Sequence, residues 1–365
     1  MMRRLMILIL AGMTIQGLAA AGVASAFLRG DAWVQSEPGI RLFVREVRAS
    51  TTEELGVPVL LIHGAGPGSH ANFDPSIPFY SLAEDVASVG HVVYLMDVRG
   101  FGNSARPAAL DSKDESTPPA VSSDEAVRDI SAVVNWIIER SRESKVALVG
   151  LGAGGHWAAL YTLKNSDRVS HLVLLNVLYG VKAPWPMGTT FADPKNPDAF
   201  NPSAGAYRLV DGAGLMAEWD ADIPVADKSK WHDPRVTVAY VRLALAGDAT
   251  ANTRKPPSIR IPQAVFKEHF EMSQGKKFWD AKDIVVPTLF VRGTRDHWSR
   301  PEDMQALNAE LVNAPCKEIV VIHDATHFLH LDRPEKGRAA FLQELLVFLG
   351  NRQPAGKAEQ KTPGK

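Results

Sequence analysis

Residues 146–157, V-A-L-V-G-L-G-A-G-G-H-W, constrain the fold more than any other stretch of the chain. They read as a short apolar strand, a tight glycine turn and the first turns of a helix. So abrupt a passage from strand to helix matches the pattern G-x-S-x-G, in which a serine sits on the bend with its hydroxyl exposed above a parallel sheet. Gly150 and Gly154 fill the two flanking positions of that elbow, and the central position is Gly152. Glycine carries no attacking atom, so covalent acyl transfer is chemically excluded there. The scaffold of an acyl-transfer site is written out without its nucleophile.

The neighbouring segments agree with a parallel sheet. Residues 57–62 (V-P-V-L-L-I), 91–96 (H-V-V-Y-L-M), 171–176 (H-L-V-L-L-N) and 286–291 (V-P-T-L-F-V) are near-continuous apolar runs, as strands buried on both faces require. Residues 39–47 alternate apolar and charged, which predicts a half-buried strand near a sheet edge, and 317–322 form a last strand. Helices are expected over 82–89, 153–163, 301–311 and 333–349. Another, capped by Ser123 or Asp124, carries Val127, Ile130, Val133, Val134, Ile137 and Ile138 at helical period. Strands alternating with helices at these spacings predict an α/β fold with a mostly parallel sheet flanked by helices.

Between 180 and 282 the rhythm breaks. This stretch is rich in proline and in aromatic residues (Trp185, Phe191, Trp219, Trp231, Phe266, Phe270, Trp279), with helical pieces such as 234–246. It is expected to be an inserted helical cap over the carboxyl edge of the sheet, dividing the core into 27–179 and 283–350. At the N-terminus, Arg3 and Arg4 precede an apolar run over 5–18, and Ala24-Ser25-Ala26 gives a small-residue cleavage pattern. Residues 1–26 are therefore expected to be a cleaved signal peptide, with a periplasmic or secreted folded part and no other membrane contact. An uncleaved anchor is the alternative, because 5–28 is nearly long enough to span a bilayer. Residues 351–365 are polar and charged, as a disordered tail would be.

From about residue 40 to 350 the chain resembles the α/β-hydrolase superfamily. Its markers stand in order: His63-Gly64 after one strand, Asp97-x-Arg99-Gly100-x-Gly102-x-Ser104 after the next, then the elbow, an acid and a late histidine. H-G-A-G-P-G followed by Asn72 and by R-G-F-G-N-S is similar to hydrolases that cleave carbon–carbon bonds in ring-fission products. The resemblance implies that Asp296 is the acid that orients the histidine and that His327 is the proton carrier, ahead of His323 and His330. It also implies an oxyanion hole built from the backbone N–H groups of Ala65 and Ala153. The plainer alternatives are an aspartate capping the next helix and a merely tight glycine loop.

Two functions stay open on this reading. One is a hydrolase of a hydrophobic ester, lactone or C–C bond, in which His327 and Asp296 activate a water lodged where the serine hydroxyl would stand. The other is a non-catalytic ligand- or partner-binding protein, since the elbow is similar to that of non-enzymatic superfamily members with glycine at this position. Retention of both Asp296 and His327 counts for the enzyme. An introduced replacement of serine is a third possibility, although a designer would more often choose alanine. Displaced nucleophiles at Ser69, Ser104 or Cys316 have no spacing rule behind them, and His156 should face away from the mouth.

The aromatic cap points to a hydrophobic or aromatic small molecule as the ligand. A net charge of −1, from 40 basic and 41 acidic residues without a basic stripe, argues against nucleic acid. No metal and no cofactor is expected: H-E-x-x-H is absent, and G-L-G-A-G-G lacks the ribose-binding acid about 20 residues on. Cys316, the single cysteine, rules out an intrachain disulfide.

Overall fold

The structure, a computed structural model, describes residues 26–51, 56–112 and 114–350. The expected signal segment, its last residue apart, and the expected tail lie outside these. In chain order come β1 (Phe27–Glu37), β2 (Ile40–Ala49), β3 (Val59–Ile62), α1 (Ser69–Phe73), α2 (Leu82–Ala87), β4 (Val93–Met96), α3 (Ser123–Ser141), β5 (Val146–Leu151), α4 (Ala153–Lys164) and β6 (Val169–Leu175). The intervening stretch holds α5 (Gly188–Phe191), β7 (Ala192–Asp193), β8 (Asn196–Phe200), β9 (Tyr207–Asp211), α6 (Gly212–Ala221), α7 (Pro234–Ala246), β10 (Ser258–Pro262) and α8 (Ala264–Ser273). The chain then returns to the sheet with β11 (Thr288–Gly293), α9 (Pro301–Glu310), β12 (Lys317–Ile322) and α10 (Arg338–Gly350).

Eight strands form one sheet in the order β1-β2-β4-β3-β5-β6-β11-β12, parallel from β4 onward and antiparallel at the β1 and β2 end. Alternate residues of each central strand enter opposite cores, which is why these segments are apolar throughout. Leu60 and Ile62 pack in the layer of Ile130, Val133 and Trp157 from α3 and α4. Val59 and Leu61 pack in the layer of Leu82, Val86, Phe341 and Leu345 from α2 and α10. After β3 the chain moves to one side of the sheet, to β4, and after β5 to the other, to β6. The loops leaving β3 and β5 therefore part company, and the crevice they open is the usual place for a ligand in such a sheet.

Three local differences from the sequence reading have physical causes. The strand expected near the edge over 39–47 is β2, and outside it lies β1, which the sequence reading did not include. Of its side chains only Val34 is buried, so its pattern carries little signal, and it is a strand because it pairs with β2 from Phe27↔Ala49 to Glu37↔Ile40. The cap of α3 is Ser122, whose Oγ accepts from Glu125 N while Glu125 Oε2 accepts from Ser122 N at 2.9 Å, a reciprocal capping box. Ser123 instead donates to Glu268 on α8, which ties the inserted stretch to the core. Finally, that stretch is not purely helical: β9 pairs with β10 and β7 with β8 as two small antiparallel sheets. Tyr207–Asp211 and Ser258–Pro262 are too short for their alternation to stand out without the partner strand.

Candidate active site

The elbow is built by close approach. A Cβ on Gly154 would lie 2.2 Å from the Ile62 carbonyl oxygen, and one on Gly150 would lie 2.4 Å from that of Gly154, so α4 can start this close to β3 and β5 only with glycine at both places. Gly152 is different. Its φ of +51° and ψ of −112° put the bend in a region that side chains rarely enter, yet a Cβ there would meet only His327 Cε1 and Nε2, both at 3.4 Å. Packing thus demands glycine on either side of the bend, whereas at its apex there is room for a side chain. What that side chain would face is an imidazole nitrogen.

His327 and Asp296 meet here, 31 residues apart in sequence. His327 Nδ1 donates to Asp296 Oδ1 at 2.7 Å, which leaves Nε2 toward Gly152. Asp296 is buried and accepts further bonds from Trp298 N at 2.9 Å, Ser299 N at 3.0 Å and Ser299 Oγ. Burial pulls its carboxyl toward the neutral form. The charge and hydrogen bond of His327, with His297 and Ser299, outweigh that and hold it below the ordinary carboxylate range. The histidine backbone is clamped as well. His327 N donates to Asp222 Oδ2 at 2.7 Å, and Asn176 at the end of β6 donates from Nδ2 to the His327 carbonyl at 3.0 Å while its Oδ1 accepts from Gly293 N.

The loop after β3 is fixed by buried polar groups. His63 Nδ1 donates to the Gly64 carbonyl and Nε2 accepts from Val98 N, so the ring is neutral, and burial pushes its pKa down. Asp97 accepts from Ser69 N, Ser69 Oγ and Asn103 N, joining this loop to the one after β4. Asn72 donates to the Pro67 and Gly68 carbonyls. Ala65 and Ala153 both line the cavity above Gly152. Ala153 is the first residue of α4, and its N-cap, Gly152, contributes no side-chain bond, so the first amides of that helix are left for a ligand oxygen.

The residues considered as substitute nucleophiles are occupied or remote. Ser69 and Ser104 both donate to Asp97, from Oγ to its side chain and to its carbonyl respectively. Cys316 precedes β12 at the amino end of the sheet, away from the elbow. His156 is buried beneath the site, where Nδ1 accepts from Trp279 Nε1. Of the rival histidines, His323 is exposed and His330 is buried against the Phe73 ring.

The cavity over Gly152 offers about 40 Å³ of water-accessible space, room for a few waters. Its walls include Glu218, Tyr240 and Phe266 from the inserted stretch, together with His297, Trp298 and Phe328. Trp298 is held by its indole N–H donating to His269 Nδ1 at 3.2 Å, and Phe328 stacks on Trp219 at 5.0 Å. Sequence reasoning missed Asp222, Glu218 and His297. His297 could have been noticed beside Asp296, but Asp222 lies 105 residues from its partner His327 and nothing in the sequence marks it.

Asp222, Asp296 and His297 offer three ligand atoms within 4.8 Å of one another. Each carboxylate oxygen of the set already faces a donor, however. Asp222 Oδ1 meets His297 Nδ1 and Oδ2 meets His327 N, while Asp296 takes the four donors named above. This is a cluster organised around protons, and a cation would have to displace them.

A parallel sheet with an elbow at its switch point and a His–Asp pair over the bend defines the α/β-hydrolase class, and the chain belongs to that superfamily. The profile of the alpha/beta hydrolase fold matches residues 57–213. The chain is 30% identical over 302 residues to the 1-acylglycerol-3-phosphate O-acyltransferase ABHD5 of Sus scrofa, covering 76% of this chain and 74% of that one. With the protein of that name from Rattus norvegicus the identity is 31% over 203 residues, which covers 49% of this chain and about half, 48%, of the relative. Among solved structures, a meta-cleavage product hydrolase superposes with a TM-score of 0.57 at 17% identity, covering 88% of this chain and 98% of that one, a likeness of fold.

Proposed function

We propose that this protein hydrolyses a hydrophobic acyl ester with water as the nucleophile. The observation that carries the reading is the open apex of the elbow: the place of a serine side chain is free, and the nitrogen that would have activated it, His327 Nε2, stands 3.4 Å from the Cβ position. A water there gives a proton to Nε2 while its oxygen bonds to the substrate carbonyl carbon. The imidazolium that forms is stabilised by Asp296, and the oxyanion by the amides of Ala65 and Ala153. The tetrahedral intermediate then collapses, breaking the bond to the leaving oxygen, and that oxygen takes up one proton in place of the one held by the imidazole, so that one ester and one water become one acid and one alcohol. Triad enzymes stripped of one member keep roughly 10³–10⁴-fold catalysis over water, so slow turnover is expected.

The aromatic wall supports a hydrophobic substrate, and the relatives named for 1-acylglycerol-3-phosphate support an acyl lipid. A periplasmic or secreted location belongs to this reading, since residues 3–26 carry the pattern of an exported chain. The missing side chain favours a second reading, a protein that binds an acyl ligand without turning it over.

The test is hydrolysis of a medium-chain p-nitrophenyl ester. The unaltered chain should turn it over slowly, His327→Ala should remove that activity, and Gly152→Ser should raise it by on the order of 10²-fold with labelling by a fluorophosphonate. No turnover in either the unaltered chain or Gly152→Ser would leave the binding reading in its place.

A further inference from the structure

A second histidine–aspartate pair stands beside the first. His297 Nδ1 lies 2.8 Å from Asp222 Oδ1, and its ring centroid is 5.6 Å from that of His327. Because Asp222 also accepts from His327 N through its other oxygen, one carboxylate sets the positions of both histidines. With Nδ1 taken by Asp222, Nε2 is the ring nitrogen left to act, and His297 lines the same cavity as Gly152 and His327.

From this geometry we infer that His297 is the general acid of the site, delivering a proton to the leaving oxygen while His327 takes one from water. The inference rests on the hydrolase reading given above. A serine-dependent enzyme can use one histidine for both transfers, because the proton taken from serine is the proton later returned to the leaving group. When water attacks directly, bond formation and departure belong to one addition–elimination sequence, and a second group already carrying its proton removes the need to swing His327 between two oxygens. His327 Nε2 accepts a proton from water, the hydroxyl oxygen bonds to the carbonyl carbon, the acyl–oxygen bond breaks, and His297 Nε2 gives its proton to the departing alkoxide. Proton return from His327 to His297 through solvent restores both rings, and one ester and one water become one acid and one alcohol.

The surroundings favour a protonated His297. Burial opposes its charge, but the hydrogen bond to Asp222 and the negative charges of Asp222, Asp296 and Glu218 outweigh burial and hold it above the ordinary histidine range. These carboxylates come from the end of α6, the loop after β11 and the face of α6. Among the described residues, His327 is a further titratable group facing it, with ring centroids 5.6 Å apart.

The experiment compares two esters of one acid, a p-nitrophenyl ester, whose leaving group departs unaided, and an alkyl ester, whose leaving group must be protonated. His297→Gln should cost kcat/KM on the order of 10²-fold more on the alkyl than on the aryl ester. In addition, NMR titration of the His297 ring in the full chain should find its pKa above the ordinary value, and lower in Asp222→Asn. Equal losses on both esters, or no loss on either, would overturn the acid role and leave the water-activating dyad standing. A His297 pKa at or below the ordinary value would overturn it as well. No turnover of either ester by the unaltered chain would sink the hydrolase reading and this inference with it.

Discussion

At the residue scale the site depends on which ring nitrogens carry protons. His269 shows this away from the chemistry. Its Nδ1 accepts the Trp298 indole N–H, so the ring is neutral, and complete burial pushes its pKa down to about 3, with His156 adding to the effect. In the unfolded chain the value is the ordinary 6.5. A folded value below the unfolded one means a stabilising contribution present in full above pH 6.5 and lost as the pH falls toward 3. Folding stability of the unaltered chain should therefore fall more steeply between pH 6.5 and 4 than that of His269→Gln, by roughly 2–3 kcal/mol at the acid end. Denaturant melts at several pH values measure this, and parallel curves would show that burial does not hold the ring neutral. Asp296 and His327 were legible as residue types in an expected order. Asp222 was not, because bonds that close gaps of 75 and 105 residues leave no local trace, and His297 was marked only by standing next to Asp296.

At the scale of elements, the start of α4 is the demanding place. Gly154→Ala would drive a methyl group to 2.2 Å from the Ile62 carbonyl oxygen, a backbone atom that cannot step aside, so the helix must lift from β3. A cost of about 1–3 kcal/mol is expected, together with a loss of any activity that uses the Ala153 amide. Gly66→Ala, on the loop after β3, has nothing within 4 Å of the new methyl and should shift stability by no more than about 0.5 kcal/mol. Thermal melts of the two variants make the comparison, and equal melting temperatures would contradict this account of the elbow. The elbow was readable because a helix packed this tightly on a strand needs its glycines at fixed offsets. The edge strand β1 was not, because the partner that makes it a strand is β2.

For the whole molecule, stability should be layered. The strands β3, β5, β6 and β11 are paired on both sides and buried on both faces, whereas the inserted stretch pairs its strands only two by two and carries exposed side chains such as Leu209 and Val238. Hydrogen exchange should leave β5 protected to the global unfolding free energy while amides of α6 and α7 exchange through smaller openings. Equal protection in both would mean that the cavity over Gly152, with its 40 Å³, cannot widen for a substrate short of global unfolding. The sequence by itself determined the doubly covered sheet, the elbow and the missing hydroxyl, because alternation, apolar runs and glycine spacing act over a few residues. The tertiary structure alone decided that the bend has room above it and that two histidines share one aspartate there, because those facts depend on where distant loops end in space.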